Sequence, residues 1–398
     1  MKILIVIPAI GLVYGGTSKL VLELAQALGD RALQIDVVTT DANGATNLDV
    51  PLCTWQQEKS YRIQYFPRWR LSEYKFSYPL TAWLFQHLRD YDLVHTISLF
   101  TYPVAIAHWL CQLYKIPYIV NPQGMLDPWA LNYKGFKKKA YYTLIERPIL
   151  RKASVIQMLS QAEADGIRPL SLPAPLKIIP NGVHRQDFDP LPDSELFYQA
   201  FPELRGKSLI LFLGRIDPKK GLDLLAPAFA QIHAEFPNTH LVVAGPDNTG
   251  FLPTAQSYFE QSGVLEAVTF AGMLTGTLKH AALAAVDLYV APSYSEGFSL
   301  SILEGMAAGL PCVFTTGCNF PEAAIAQAAK VVEIDADEIA QAMRRQFAYP
   351  EAAKALGERA RHLIFQHYTW DQIAGTLHQA YLDILDRKKH ALSSQPVS

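Results

Sequence analysis

The chain lacks the marks of several protein classes. Only four of its 398 residues are cysteine, and none forms a Cys-x-x-Cys pair. No histidine cluster stands at zinc spacing, so neither a disulfide framework nor a structural zinc site is written here. Cys53, Cys111, Cys312 and Cys318 read as reduced thiols of a cytoplasmic protein. Charge of one sign is also missing. The formal net charge is −2, which removes the global basic field that nucleic-acid binders carry. The longest apolar window, "LVHTISLFTYPVAIAHWLCQL", holds His95, His108 and Pro103 and does not read as a membrane span. The opening "MKILIVIPAIG" is too short and too glycine-bound for a secretion signal and reads as a buried strand. No low-complexity tract or short repeat appears, apart from the polar tail "ALSSQPVS".

What is present is a large hydrophobic fraction, 50%, with 18% charged residues, enough for two or three packed domains. Short continuous apolar runs alternate with helical segments. "KILIVIPA", "QIDVVTTD", "DLVHTIS", "PYIVNPQG" and "SVIQMLS" read as strands, and "TSKLVLELAQALG" as a helix ending at Gly29. Strands apolar on both faces belong to parallel sheets covered by helices. The alternation pauses at "IIPNGVHRQDFDPLPDSE", then resumes with "SLILFLG", "THLVVAGP", "AVTFAGML", "DLYVAPS" and "PCVFTTG". The expectation is an α/β chain of two Rossmann-like, doubly wound halves facing across a cleft, where open sheets bind ligands. The expected boundaries are a first domain over 1–180, a linker over 181–205, a second domain over 206–372, and a closing helix and tail over 373–398.

The stretch "YSEGFSLSILEGMAAGLP" carries two acids, Glu296 and Glu304, across the expected start of a helix near Ser299. The helix stops at Gly309, before Pro311. Free N–H groups in its first turn suit a phosphate. The acids do not suit one; an ionised carboxylate only accepts hydrogen bonds, and its partner here is a pair of sugar hydroxyls. Arg215 and Lys220, in "GRIDPKKG" just beyond a strand, read as solvated loop cations or as a pair that grips phosphate oxygens. "GLVYGGTSK" puts Gly16 at another helix start and lacks the Gly-x-Gly-x-x-Gly of nicotinamide and flavin enzymes. Two Asp-x-Asp strings, Asp187/Asp189 and Asp335/Asp337, lie in the linker and before a helix, where capping explains the second better than metal does. The run Lys134, Lys137, Lys138 and Lys139 reads as a solvated face or as a patch toward anionic lipid or an anionic acceptor.

Glu296-x₇-Glu304 resembles the Glu-x₇-Glu signature of retaining nucleotide-sugar glycosyltransferases, notably glycosyltransferase family 4. "GRIDPKKG", "IPNGVH", "GLVYGGTSK", "FPEA" after "TTGCN", and "YTWDQIAGTLHQAY" resemble further elements of that family in the same order. The resemblance implies a GT-B fold, with the donor held by the second half, the acceptor by the first, and a last helix that crosses back. It implies that Arg215, Lys220 and Glu296 carry catalysis. Gly16, Gly245, Met273, Gly297, Phe298, Ser299, Leu300 and Glu304 would bind the donor, with Glu304 on the ribose and Glu296 on the sugar. Many relatives carry a histidine where this chain has Gln123; His95 ends a neighbouring strand, and both are expected to touch acceptor or sugar. No metal and no resident cofactor is expected, only a nucleotide-sugar co-substrate, with UDP-sugars favoured and GDP-sugars next. The implied acceptor is a glycan or a lipid-linked glycan of surface-polysaccharide assembly. That places the protein at the inner face of a membrane through peripheral contact. The rival readings are an epimerase or phosphorylase on the same architecture, and a non-catalytic nucleotide-sugar-binding partner of another transferase.

Overall fold

The computed structural model describes residues 1–69, 74–126 and 135–393; Lys134 of the basic run lies outside them. The chain divides into two compact units. The first is Met1–Asn181 together with the last helix, Trp370–Ser393, and the second is Gly182–Thr369.

Unit 1 holds strands β1 (Lys2–Ala9), β2 (Gln34–Thr40), β3 (Trp55–Gln57), β4 (Arg62–Phe66), β5 (Leu93–Ile97), β6 (Tyr118–Asn121), β7 (Val155–Met158) and β8 (Leu176–Ile178). Their order in the sheet is β8-β7-β6-β5-β1-β2-β4-β3. Every pairing is parallel except β3 on β4. The apolar run of β1 serves both faces. Ile3, Ile5 and Ile7 join the core under helix Gly16–Gly29 and the last helix, while Leu4 and Val6 join the core under helices Tyr78–His87 and Tyr102–Tyr114. Each such side chain, removed from water, contributes about 1.5–3 kcal/mol.

Unit 2 holds β9 (Ser208–Leu213), β10 (Thr239–Ala244), β11 (Val268–Gly272), β12 (Leu288–Ala291), β13 (Cys312–Thr315) and β14 (Lys330–Val332). They form a wholly parallel sheet ordered β11-β10-β9-β12-β13-β14. In both units the first strand lies inside the sheet, and the chain winds outward to one side, then to the other. The point of reversal falls between β1 and β5 in unit 1 and between β9 and β12 in unit 2. At such a point the helices that follow the two strands diverge and leave a crevice beyond the strand carboxyl ends.

One segment is placed otherwise than composition implies. The stretch 181–205 lies within unit 2 from Gly182 onward. Val183 N–H donates to Tyr368 O at 2.9 Å, and Phe188, Phe197 and Leu204 are fully buried. Those three anchors turn a proline- and aspartate-rich stretch into packed structure. At the other end, Trp370 and the helix it opens are bound into unit 1. Trp370 Nε1 donates to Glu23 Oε2 at 2.8 Å, Arg31 grips Asp371 at 2.9 Å, and Tyr381 is buried against the sheet.

Glu146 has no counterpart in the sequence reading. It closes a π-helical turn, Tyr142–Glu146, and is fully buried. Its Oε1 accepts the Phe100 N–H at 2.6 Å, and its Oε2 has no partner among the described residues. Burial pushes the carboxyl up to about 7, against a smaller lowering by the Phe100 N–H. The folded chain therefore holds this proton more tightly than the unfolded one, and its contribution to stability falls as pH rises from the ordinary 4.5 to about 7. The full effect is at most about 3 kcal/mol. Glu146→Gln keeps the acceptor for Phe100 and removes the charge. Its melting temperature should match the parent near pH 5 and exceed it at pH 8. An unchanged difference between the two pH values would assign the effect to another group.

Candidate functional site

The crevice of unit 2 is built by the two chain segments that leave β9 and β12. The first, Gly214 to Gly221, ends in the 3₁₀ turn Pro218–Lys220, capped by Asp217, whose Oδ1 accepts the Lys219 N–H at 3.1 Å. Gly221 has φ +73° and lies against Pro292, whose carbonyl oxygen would stand 1.9 Å from any Cβ placed there. No other residue fits that contact. The second segment, Pro292 to Ser299, returns the approach. Tyr294 N–H donates to Lys219 O at 2.8 Å, and the Tyr294 hydroxyl donates to Asp223 at 2.6 Å. The two loops are thereby fixed to each other at the reversal point of the sheet.

Between them Lys220 Nζ meets Glu296 Oε1 in an ion pair whose side chains are 12% and 11% exposed. Ser293 Oγ donates to the same oxygen at 2.8 Å. Asn319, itself in the left-handed region, donates from Nδ2 to Glu296 O at 2.6 Å, and Glu296 N–H donates to Gly317 O at 2.8 Å. Every part of Glu296 except Oε2 is thus committed among the described residues. Burial raises its carboxyl, and the ammoniums of Lys220 and Lys219 with the Ser293 hydroxyl outweigh that, so the net direction is downward and the group is ionised. Lys219 is lowered, by burial first, with Glu296 opposing. Arg215 is half-buried and makes no ion pair or hydrogen bond among the described residues. The Lys219 shift records its charge nearby. A cation so placed is open to an anion.

Glu304 lies in the helix Leu300–Ala307, 4% exposed. The sequence reading missed its partner. Lys279, in helix Gly276–Ala285 and 8% exposed, places Nζ 2.5 Å from Glu304 Oε1. The available signal was a single lysine just before the apolar run "AALAA". Ser299 occupies the N-cap, but its hydroxyl bonds Ser301 instead of capping the helix, so the first-turn N–H groups keep their capacity for an anion. Gly305 lets this helix lie on Tyr289, where a Cβ would stand 2.8 Å from the ring.

Gly245 (φ +153°) closes β10 and donates to Gly272 O at 2.7 Å, and Met273 follows with 43% exposure. Both stand at the carboxyl edge of the same sheet. Gly297, Ser299 and Leu300 are half-buried at the helix start. Phe298 needs correction as a donor contact. Its ring is 8% exposed and packs on Phe320 (5.0 Å) and Tyr368 (5.9 Å), so only its backbone is placed near the crevice.

In unit 1, Gly16 is exposed at a helix start preceded by Gly15 (φ +70°). Gln123 sits just past β6 with φ +53°; its Nε2 is covered and without a partner among the described residues. His95 is corrected. It is fully buried in β5 with Nδ1 2.8 Å from the Tyr381 hydroxyl, and burial drops its ring to about 3. It ties the last helix to the sheet and offers no face to a ligand. The Asp-x-Asp strings are also occupied. Asp335 caps helix Ala336–Ala348, and Asp189 pairs with Arg361 at 2.8 Å and Arg185 at 3.2 Å.

Residues 15–182 match the family model of the glycosyl transferase 4-like domain, and residues 194–363 that of the group 1 glycosyl transferases. The chain is 28% identical over 206 residues to a GDP-mannose-dependent alpha-(1-6)-phosphatidylinositol monomannoside mannosyltransferase of Mycolicibacterium smegmatis, spanning 50% of this chain and about half, 53%, of that one. Among solved structures, sucrose-phosphate synthase from Thermosynechococcus elongatus superposes with TM-score 0.77 at 21% identity over 97% of this chain and 100% of that one. Anabaena HepE in complex with UDP-glucose gives 0.76 at 17% identity over 96% and 100%. These likenesses establish the GT-B fold.

The Lys279–Glu304 pair yields a stability test independent of any ligand. Lys279→Met removes the ammonium that faces a buried carboxylate and should cost about 3–5 kcal/mol. Adding Glu304→Gln should recover most of that loss. Strictly additive losses in urea or thermal unfolding would show that the two side chains do not interact.

Proposed function

Because the chain belongs to the glycosyltransferases of family 4, we propose that it moves a sugar from a nucleoside diphosphate to a glycan or lipid-linked acceptor, with retention at the anomeric carbon and without a bound divalent metal. The observation that carries this reading is the crevice of unit 2, where Arg215, Lys219 and Lys220 cluster beside the uncapped start of helix Leu300–Ala307. A diphosphate answers both features. Its charge meets the cations, and its oxygens accept the first-turn N–H groups. Glu304, held by Lys279, accepts from the ribose hydroxyls. Glu296, whose Oε1 is taken by Lys220 and Ser293, directs Oε2 at the sugar.

As the sugar–phosphate bond breaks, negative charge grows on the leaving diphosphate, and Arg215 and Lys220 stabilise it there. The acceptor hydroxyl attacks from the same face, and its proton passes to the departing phosphate oxygen. Buried His95 takes no part in that transfer. The donor nucleobase is proposed as uracil, with guanine next; the relatives span both, one named for GDP-mannose and one complexed with UDP-glucose. Surface-polysaccharide assembly supplies the acceptor, on the cytoplasmic face of a membrane. The four free thiols suit that reducing side.

Titration with UDP-, GDP- and ADP-sugars tests the site first. A true donor at about 100 times its Kd should stabilise the fold that binds it by about 2.7 kcal/mol. Arg215→Ala breaks no internal contact, so its melting temperature should hold while kcat falls about 10²–10³-fold and donor affinity falls far less. A folded Arg215→Ala variant with near-native kcat would remove Arg215 from the reaction. Activity that a chelator abolishes and Mg²⁺ or Mn²⁺ restores would overturn the metal-free part of the reading.

A further inference from the structure

Unit 1 carries a second concentration of charge at the opposite edge of its sheet. Two adjoining cavities open there. One, of about 460 Å³, is lined by Lys115, Lys152, Arg387 and Lys388, with Tyr118 and Ser154 at its floor. The other, of about 520 Å³, is lined by Arg147, Arg151 and the same Lys152. Tyr118 opens β6 and Ser154 directly precedes β7. Both therefore mark the amino ends of parallel strands, away from the carboxyl edge where Gly16 and Gln123 stand.

The six cations come from separate parts of the chain. Lys115 follows helix Tyr102–Tyr114, Arg147, Arg151 and Lys152 belong to helix Arg147–Lys152, and Arg387 and Lys388 lie on the last helix. No acid lines either cavity. Among the described residues none of the six has a carboxylate within 4 Å, whereas Arg31, Arg62, Arg205, Arg344 and Arg361 are all paired. The acid that reaches Arg387 electrostatically is Asp383, which pairs with Lys177 at 3.3 Å.

The plain reading is that cations complement helix carboxyl ends. Two helices end here, and each end is worth about half a negative charge. That offsets about one of six positive charges. The remainder repel one another, and separation and solvent screening reduce that cost without removing it. Lys115 adds a further cost. It holds the left-handed position after its helix, φ +56°, where glycine is the unstrained choice. A multivalent anion seated in the cavities would relieve the repulsion, with arginine forks and lysine ammoniums suited to phosphate oxygens.

We propose that this double cavity binds a phosphate-bearing anion, as a site separate from the crevice of unit 2. The phosphate belongs either to a soluble phosphate or diphosphate compound or to a lipid headgroup. Leu144, 75% exposed beside the second cavity, makes the lipid source worth a separate arm. The site lies wholly in unit 1, and its existence does not depend on the donor reading.

The test compares the full chain with the double variant Lys152→Gln/Arg387→Gln, both exposed and unpaired, in two titrations at low ionic strength. One uses inorganic pyrophosphate, repeated in Arg215→Glu, whose reversed charge repels a diphosphate from the unit 2 crevice. The other uses phosphatidylcholine vesicles with and without phosphatidylglycerol. If the phosphate is lipid-borne, the parent binds only the mixed vesicles, and the double variant binds them roughly thirtyfold more weakly, at about 1 kcal/mol for each lost charge. If it is soluble, pyrophosphate binding survives Arg215→Glu and falls at least about tenfold in the double variant. The proposal is overturned if the double variant weakens neither titration, or if the parent shows no saturable binding in either.

Discussion

The buried pair of Lys220 and Glu296 is the constraint on which the candidate site depends. Taking two charges out of water costs several kcal/mol for each ion, and a well-packed apolar pair would serve stability as well or better. The pair makes sense as a condition for its surroundings. Arg215 and Lys220 lie close enough to help lower Lys219, and an acid among the three cations offsets their repulsion. Glu296 neutralises part of that charge while the crevice is empty. The backbone bonds from Asn319 and to Gly317, with the close seat of Gly221 on Pro292, keep it from following a ligand's phosphate or turning to solvent. Two acids beside a helix start thus have different local duties. Glu296 balances the cations, and Glu304 is balanced by Lys279 on a neighbouring helix.

The same winding gives unit 1 a different kind of edge. Beyond its reversal point there is no buried ion pair among the described residues; there is backbone in unusual conformations. Ser98, Phe100 and Gln123 all have positive φ, none is glycine, and all lie just past β5 or β6. Such positions cost of order 1–3 kcal/mol each and persist only where the surroundings hold them. The holding contacts are visible. Ser98 N–H donates to Asn121 O, Phe100 N–H to Glu146, and the Gln123 N–H to Asn121 Oδ1 at 3.2 Å. Unit 2 spends its stability on charge, and unit 1 on shape. The last helix supports the second arrangement from behind, through Tyr381 on His95 in β5.

The sheets were largely legible because strands buried on both faces are apolar without interruption. "KILIVIPA" fixes β1 to the residue, and the glycine at 29 ends the first helix where composition says it should. Ser299 and Gly309 likewise bracket helix Leu300–Ala307. What stayed hidden depends on contacts between distant residues. Lys279 becomes part of the site only because helix Gly276–Ala285 lies beside helix Leu300–Ala307. A strand-end histidine looks the same in sequence whether it faces a crevice or, like His95, a covering helix. Phe298 adjoins the signature yet packs inward, because Phe320 and Tyr368 build an aromatic cluster there. The edge strand β3 and its neighbour β4 escaped notice because "WQQ" and "RIQYF" mix polar with apolar residues.

A net charge of −2 describes none of the fields a ligand would meet. At physiological ionic strength charges more than about 8 Å apart scarcely feel each other. A chain can therefore be balanced overall and strongly polarised in places. This one is polarised twice. In unit 2 the cations are half-buried beside a buried acid, where lowered dielectric strengthens each interaction and geometry decides what fits. In unit 1 five of the six cations around Lys152 are exposed and none is ion-paired among the described residues, so their attraction is weaker, less selective and more sensitive to salt. The first arrangement suits a compact group held in one pose during a reaction. The second suits an anion that is retained but need not be oriented. The separation follows from the parallel sheets themselves. Helices that follow parallel strands return to the amino edge, so their carboxyl ends collect there and their amino ends collect at the carboxyl edge. Basic residues at the first edge and phosphate-holding N–H groups at the second are what that layout favours in a single chain.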